Sequence, residues 1–333
     1  MNQRTHTWIA IRAIALLEDG QGPKGLVKIL KSSVKGAAIG SWIPDMADSK
    51  VGSGDIDNHV LKMKPYGGPG KSRFVKKKND LLRDLGPHRQ VCGFLDQRGQ
   101  GLGSAWWNKA YKADPSPGQH LANRTMALST TLIDLMILGD KKVAALVPGR
   151  IRFAKNLDKN ARSRMEEVAT YCFMLSHFAA DACQPCHCDA RNLYGYSKGV
   201  HKEMEAHWSR ILGTYFDKKK YLKTQDTPET ILNRARAIDD KFGLDFSREI
   251  PDLKARDPWL EIMNVCRASF AVASILVGPE LIPYESDRTT TFEEVFKGED
   301  SDPGLLADLD AMALHDAVLN TAVVWKSIWN VFD

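Results

Sequence analysis

With 333 residues, 43% of them hydrophobic and 26% charged, the chain has the composition of an ordinary globular protein and the length to bury a large core. A net charge of +5 suits an anionic substrate but is far too small to point to nucleic acid by itself. No apolar run approaches the roughly 18 residues of a membrane span, so none is expected.

The N-terminus carries no charged region followed by an apolar stretch and a cleavage site. A cytoplasmic location is therefore expected, the alternative being an exported protein whose sequence starts near a mature terminus. Thr5 stands where it can cap a helix over residues 6–18, with Trp8, Ile11, Ile14, Ala15 and Leu17 forming a wide apolar stripe. Asp19-Gly20 ends it. A second helical piece over 26–32 leads through Gly36 and Gly40 into Trp42-Ile-Pro-Asp45, a loop or the start of a helix.

Residues 50–120 are broken by glycines and are the expected place for substrate-facing loops. Beyond them, helical patterns cover 121–138, 158–182, 199–215, 228–242, 258–276 and 303–332. Pro228, Pro258 and Pro303 stand near helix starts, where proline is tolerated. Alternating strand patterns and internal repeats are missing, so the expected fold is all-α, as a single domain over 1–333 with a loop-rich insertion over 65–120.

The chemistry concentrates between His177 and Glu205, where five metal-ligand types fall within 29 residues. His177 and Asp181 are four apart on one helix face, and His201 and Glu205 repeat that spacing on the next helix. Gln184-Pro185 disfavours continued helix, so His187 emerges just past a break, where it can fold back towards the same centre. Imidazole with carboxylate suits Zn²⁺ or a similar first-row ion, whereas sites made of oxygen alone suit Mg²⁺ or Ca²⁺. A helical His/Asp pair alone is more often a surface pair, but His6, Asp45 and His59 extend the series to eight.

Six cysteines are few for this length and fit a reducing compartment better than a disulfide framework. Cys183, Cys186 and Cys188 are read as packing residues, with a zinc knot or a redox pair as alternatives. Lys71-Ser-Arg-Phe-Val-Lys76-Lys-Lys78 is a solvated basic loop or a phosphate-binding or membrane-contacting one. Gly70-Lys71-Ser72 is not a P-loop, because position 65 is Pro and no strand precedes it. His88, His120, His207 and His315 lack partners at ligand spacing and are read as structural.

The segment His177-Phe-x-x-Asp181-x-x-Gln-Pro-x-His187, together with His6-Thr-Trp-Ile-Ala-Ile-Arg-Ala-Ile, resembles the zinc-dependent phospholipase C and S1/P1 nuclease superfamily. The resemblance implies an all-α fold with up to three Zn²⁺ ions. It implies that Asp45, His59 and His177 hold one ion and that His187, His201 and Glu205 hold another. Asp181 would bridge the first to a third, bound also by His6 and the amino terminus. The family places a tryptophan at that terminus, whereas this chain has Met1, five residues before His6. A free α-amino group, with an ordinary pKa near 8, can lose its proton to a metal, and the bulky Asn2 favours retention of Met1.

The implied activity is phosphodiester hydrolysis by a metal-bound hydroxide, with Asp45 as base or water-orienting residue and Asp48 as its nearest rival. The step of fourteen residues from His187 to His201, and Glu205 as last ligand, match the phospholipase C branch. Met46 and Ile56 stand where that branch has headgroup-binding aromatics, and Val60 stands where the nuclease branch has a base-stacking one. Trp106, Trp107 and Tyr111 are core anchors or stacking groups. The expected partner is a phosphodiester, either a lipid headgroup, with peripheral membrane contact, or single-stranded nucleic acid in an S1/P1-type reaction. A binding protein with purely structural metals is the alternative of another class.

Overall fold

The structure, a computed structural model, describes residues 1–20, 22–46, 59–65, 111–113, 121–139, 161–191, 193, 199–215, 223, 225–247, 258–277, 289–297 and 304–332. Most of the expected insertion lies outside these residues, and with it Asp48, Ile56, the basic run over 71–78, His88, Trp106, Trp107, His120 and the side chain of Tyr111. No described helix is long and apolar enough to cross a membrane.

The fold is all-α. Its helices are α1 (Gln3–Asp19), α2 (Lys24–Ser32), α3 (Ala37–Gly40), α4 (Leu121–Gly139), α5 (Ala161–Ala182), α6 (Pro185–Cys188), α7 (Val200–Tyr215), α8 (Pro228–Arg236), α9 (Asp239–Phe242), α10 (Pro258–Leu276), α11 (Phe292–Phe296) and α12 (Leu305–Phe332). One short antiparallel ribbon, β1 (Met63–Pro65) with β2 (Tyr111–Ala113), is the strand pairing that the sequence pattern did not reveal. Three-residue strands are too short to show an alternation.

Helix α1 begins one turn earlier than expected. Asn2, not Thr5, is its N-cap, with Oδ1 accepting from the Thr5 backbone N–H at 3.3 Å. Every side chain from Thr5 to Leu17 is buried, so the expected stripe is in fact a whole surface, enclosed by α2, α5, α7, α8 and α12. Arg12 is tolerated there because its guanidinium meets Asp239 at 2.8 Å and lies over the Phe246 ring.

Around α1, the long α12 packs along α5, and α10 covers α4 and α6. Buried apolar side chains from these helices join one cluster. Three interior indoles tie elements together through their N–H groups: Trp8 donates to the Ala235 carbonyl at 3.2 Å, Trp208 to Asp310 at 2.6 Å and Trp325 to the Cys172 carbonyl at 2.7 Å. A buried indole needs such an acceptor, so each fixes one helix against another.

The expected helix over 228–242 is two helices. The Ile238 N–H turns back to Ala235, and Asp239 and Asp240 then open α9, where acidic residues suit a helix N-terminus. Gly243, at φ 63°, ends it in the left-handed region. α11 was missed, although Thr291 and Glu294 form a capping box around its first turn.

Candidate metal centre

Six segments place the ligand-type side chains, His59 coming from the stretch over 59–63. The N-terminal end of α1 carries His6, and the helical turn at residues 43–46 carries Asp45. α5 carries His177 and Asp181 on one face. After it, Gln184 caps the single turn of α6, with Pro185 in its first position, so the expected break is a reversal. His187 therefore points back at the end of α5. α7 supplies His201 and Glu205.

Residues 59–63 are laced to α6 by backbone and side-chain bonds. Leu61 N–H donates to the His187 carbonyl at 3.0 Å, His187 Nδ1–H to the His59 carbonyl at 3.0 Å, and Lys62 to the Cys186 carbonyl at 2.9 Å. His177 Nδ1–H likewise donates to the Ser41 carbonyl at 2.8 Å. Each bond fixes a ring so that Nε2 faces inward, the second-sphere arrangement of a ligating imidazole.

Asp181 is the hub. Its Oδ2 lies 3.0 Å from His59 Nδ1 and 3.1 Å from His177 Nε2. Its Oδ1 lies 3.1 Å from the Met1 amino nitrogen, 3.5 Å from His6 Nε2 and 3.7 Å from His187 Nδ1. Asp45 Oδ1 stands 3.5 Å from His177 Nε2 and 3.8 Å from His59 Nδ1. On the α7 side, Glu205 Oε1 is 2.8 Å from His201 Nε2, 3.6 Å from His187 Nε2 and 2.7 Å from the Met1 amino group. His187 and His201 face each other, Nε2 to Nε2, at 2.8 Å.

Burial and charge set the protonation. Burial holds His6 well below its usual range, reinforced by His177 beside it, and burial brings His187 down to about 4 despite the Asp181 carboxylate. Burial also opposes charge on His177, but Asp181 and Asp45 outweigh it and raise the ring to about 9. Against the cost of burial, the Met1 ammonium and the imidazoles keep Asp181 and Glu205 well below the carboxylate range. The same carboxylates raise the Met1 amino group to about 11.

Three sets could hold a metal ion: His6, Asp45 and His177; His59, His177 and Asp181; and His187, His201 and Glu205. Donors about 2.0–2.1 Å from a tetrahedral ion stand roughly 3.3 Å apart, which falls within the 2.8–3.6 Å between donors of the second and third sets. A second observation fits too: His6 is fully buried, yet neither ring nitrogen has a hydrogen-bond partner. Such a ring is costly unless something else satisfies it.

All nine residues singled out in the sequence thus come together, Met1 included. What sequence reasoning missed is the supporting set, Ser41, Lys62 and Asn2, whose roles depend on contacts across the fold. Cys172, Cys183, Cys186, Cys188 and Cys266 are free, buried thiols, and none belongs to the three sets. His207 pairs with Asp310 at 2.8 Å, and His315 stacks on Phe246.

No protein-family model matches the chain. No curated protein matches it either. Among solved structures it is similar to the Clostridium perfringens alpha-toxin isolated from avian strain SWCP, at 14% identity and a TM-score of 0.46, over 99% of this chain and 64% of that one. The chain therefore spans just under two thirds of that structure's length.

Proposed function

We propose that the chain is a zinc-dependent phosphodiester hydrolase with phospholipase C-like chemistry. The observation that carries the reading is the Asp181 hub, one carboxylate whose two oxygens face two different sets of imidazoles. Asp45, His59, His177 and Asp181 would hold one ion, His187, His201 and Glu205 a second, and Asp181, His6 and the Met1 amine a third. Bound there, zinc would polarise the phosphoryl oxygens and lower the pKa of water from 15.7 to roughly 7.

The chain's own groups divide by exposure. The side chains of His6, His177 and Asp181 are no more than 2% exposed and close the floor, whereas those of Asp45 at 26%, Glu205 at 19% and His201 at 14% line the open side. A phosphodiester would therefore approach from the side of Asp45, Glu205 and His201. On this reading water would add to phosphorus as the ester P–O bond breaks, Asp45 would orient that water and take its proton, and the departing alkoxide would take up a proton from solvent. An S1/P1-type nuclease would use the same groups on a different ester.

The test is elemental analysis together with hydrolysis of a chromogenic phosphodiester, phospholipid vesicles and single-stranded DNA, on the wild type and on Asp181→Asn. About three zinc ions per chain and turnover that the variant loses are expected. Ions without turnover of any of the three would leave a metal-stabilised binding protein. Extending the chain ahead of Met1 should remove one ion, and an unchanged count would exclude the amine as a ligand.

A further inference from the structure

Two side chains from the first turns of α1 reach across to α7 and bond its backbone one turn apart. Asn2 Nδ2 donates to the Glu205 carbonyl at 3.0 Å, and Arg4 Nη1 donates to the Ser209 carbonyl at 2.8 Å and to Ser209 Oγ at 3.2 Å. Carbonyls inside a helix already accept from the N–H four residues on, and the side chain at that position usually covers them. For Ser209 that position is Gly213. A Cβ built there would lie 2.7 Å from Arg4 Nη1 and 3.2 Å from its Cζ, so the guanidinium occupies the space that glycine leaves.

Gly213 lies in the last turn of the sixteen-residue α7, where alanine would still be the better helix former, and breaches of a local rule tend to fall where function asks for them. Among the described residues Arg4 is held by the Ser209 carbonyl and hydroxyl, with no carboxylate paired to it. Its guanidinium lies between α1 and α7. The Met1 amine and His6 belong to α1's end of the centre, and His201 and Glu205 belong to α7.

We propose that Arg4, seated over Gly213, is a positioning residue that sets the separation of α1 from α7 and thereby the metal affinity of the centre. This rests on the metal-centre reading above. Arg4 touches no ligand-type side chain in the contacts that place it, so it acts through the docking of α7. Because the atom a Cβ would meet is the tip of a flexible side chain, Gly213→Ala displaces the guanidinium without forcing the helices apart.

The experiment compares the wild type, Gly213→Ala, Arg4→Ala and the double variant by zinc content, by zinc affinity in chelator competition, and by thermal unfolding of the metal-free protein. Each single variant should bind its weakest ion about 10-fold less tightly or worse. The metal-free midpoint of Gly213→Ala should not fall, since alanine is the better helix former. The double variant should match Arg4→Ala, because both changes remove one contact. Unchanged affinity in Gly213→Ala, or losses that add in the double variant, would overturn the proposal. A wild type that binds no zinc would instead overturn the metal-centre reading itself, and this inference with it.

Discussion

His6 on α1 and His177 on α5 stack face to face, with ring centroids 3.8 Å apart and planes 17° from parallel. Two imidazolium rings could not share that arrangement, and His6 is the one kept neutral by burial, beside the charged His177. His6→Phe preserves the stack and removes only the ligand. It should lower zinc content by about one ion per chain, while the metal-free protein unfolds at the same temperature or higher, because an unsatisfied buried polar group has gone. Elemental analysis and calorimetry on the same sample check both halves.

Asp181→Asn takes the charge from a carboxylate that faces the Met1 amine and four imidazoles. The zinc-dependent rate should fall by more than about 100-fold, since each set that shares this residue is weakened. Steady-state hydrolysis at saturating zinc decides it, and a loss under tenfold would remove Asp181 from the hub.

In the metal-free protein, stability should peak near neutral pH. His177 is raised from 6.5 to about 9, so its contribution is fully present below 6.5 and is lost as pH climbs through 9. His187 is lowered from 6.5 to about 4, so stability present above 6.5 is lost as pH falls towards 4, where the buried ring must take a proton. Below that, the depressed carboxylates Asp181 and Glu205 add a further loss. Denaturant titrations from pH 4 to 9 should trace a dome. His187→Asn should flatten its acid limb.

Trp208→Phe removes the buried indole N–H that donates to Asp310 at 2.6 Å and so ties α7 to α12. Asp310 keeps His207 at 2.8 Å but loses its buried donor. A hydrogen bond to a charged group of this kind contributes about 2 kcal/mol, and urea unfolding should show a loss of that size.

Gly40→Ala probes the packing behind the centre. A Cβ at position 40 would lie 2.7 Å from the Cβ of Phe173, one turn before His177 on α5. Overpacking against a fixed Cβ costs about 1–3 kcal/mol, and because Ser41 anchors His177, weaker zinc binding should accompany the lower unfolding midpoint.

What the sequence could reveal follows the range of the forces involved. The spacing of His177 and Asp181, and of His201 and Glu205, is a property of one helix, so it is legible in four residues. Helices with long apolar patterns, 121–138 and 258–276, appear within a residue of their observed limits. Thr5 was a reasonable cap, but Asn2 offers the same chemistry one turn earlier, and its amide is also held by Glu205 across the fold. The break near Ile238 was hidden because apolar spacing continues across it, and what marks it is a backbone bond, the Ile238 N–H turning back to Ala235. Ser41 was invisible for another reason: it serves His177 through its backbone carbonyl, which every residue possesses.

The arrangement of the hub also bears on the order in which the chain folds. The contacts that close it join Met1 to Asp181 and Glu205, and His59 to Asp181, across most of the sequence. Helices such as α5 and α7 can form from neighbouring residues, whereas these contacts must wait for long loops to close. The centre is thus a late product of folding, and its assembly marks the step at which α1 locks against segments far along the chain.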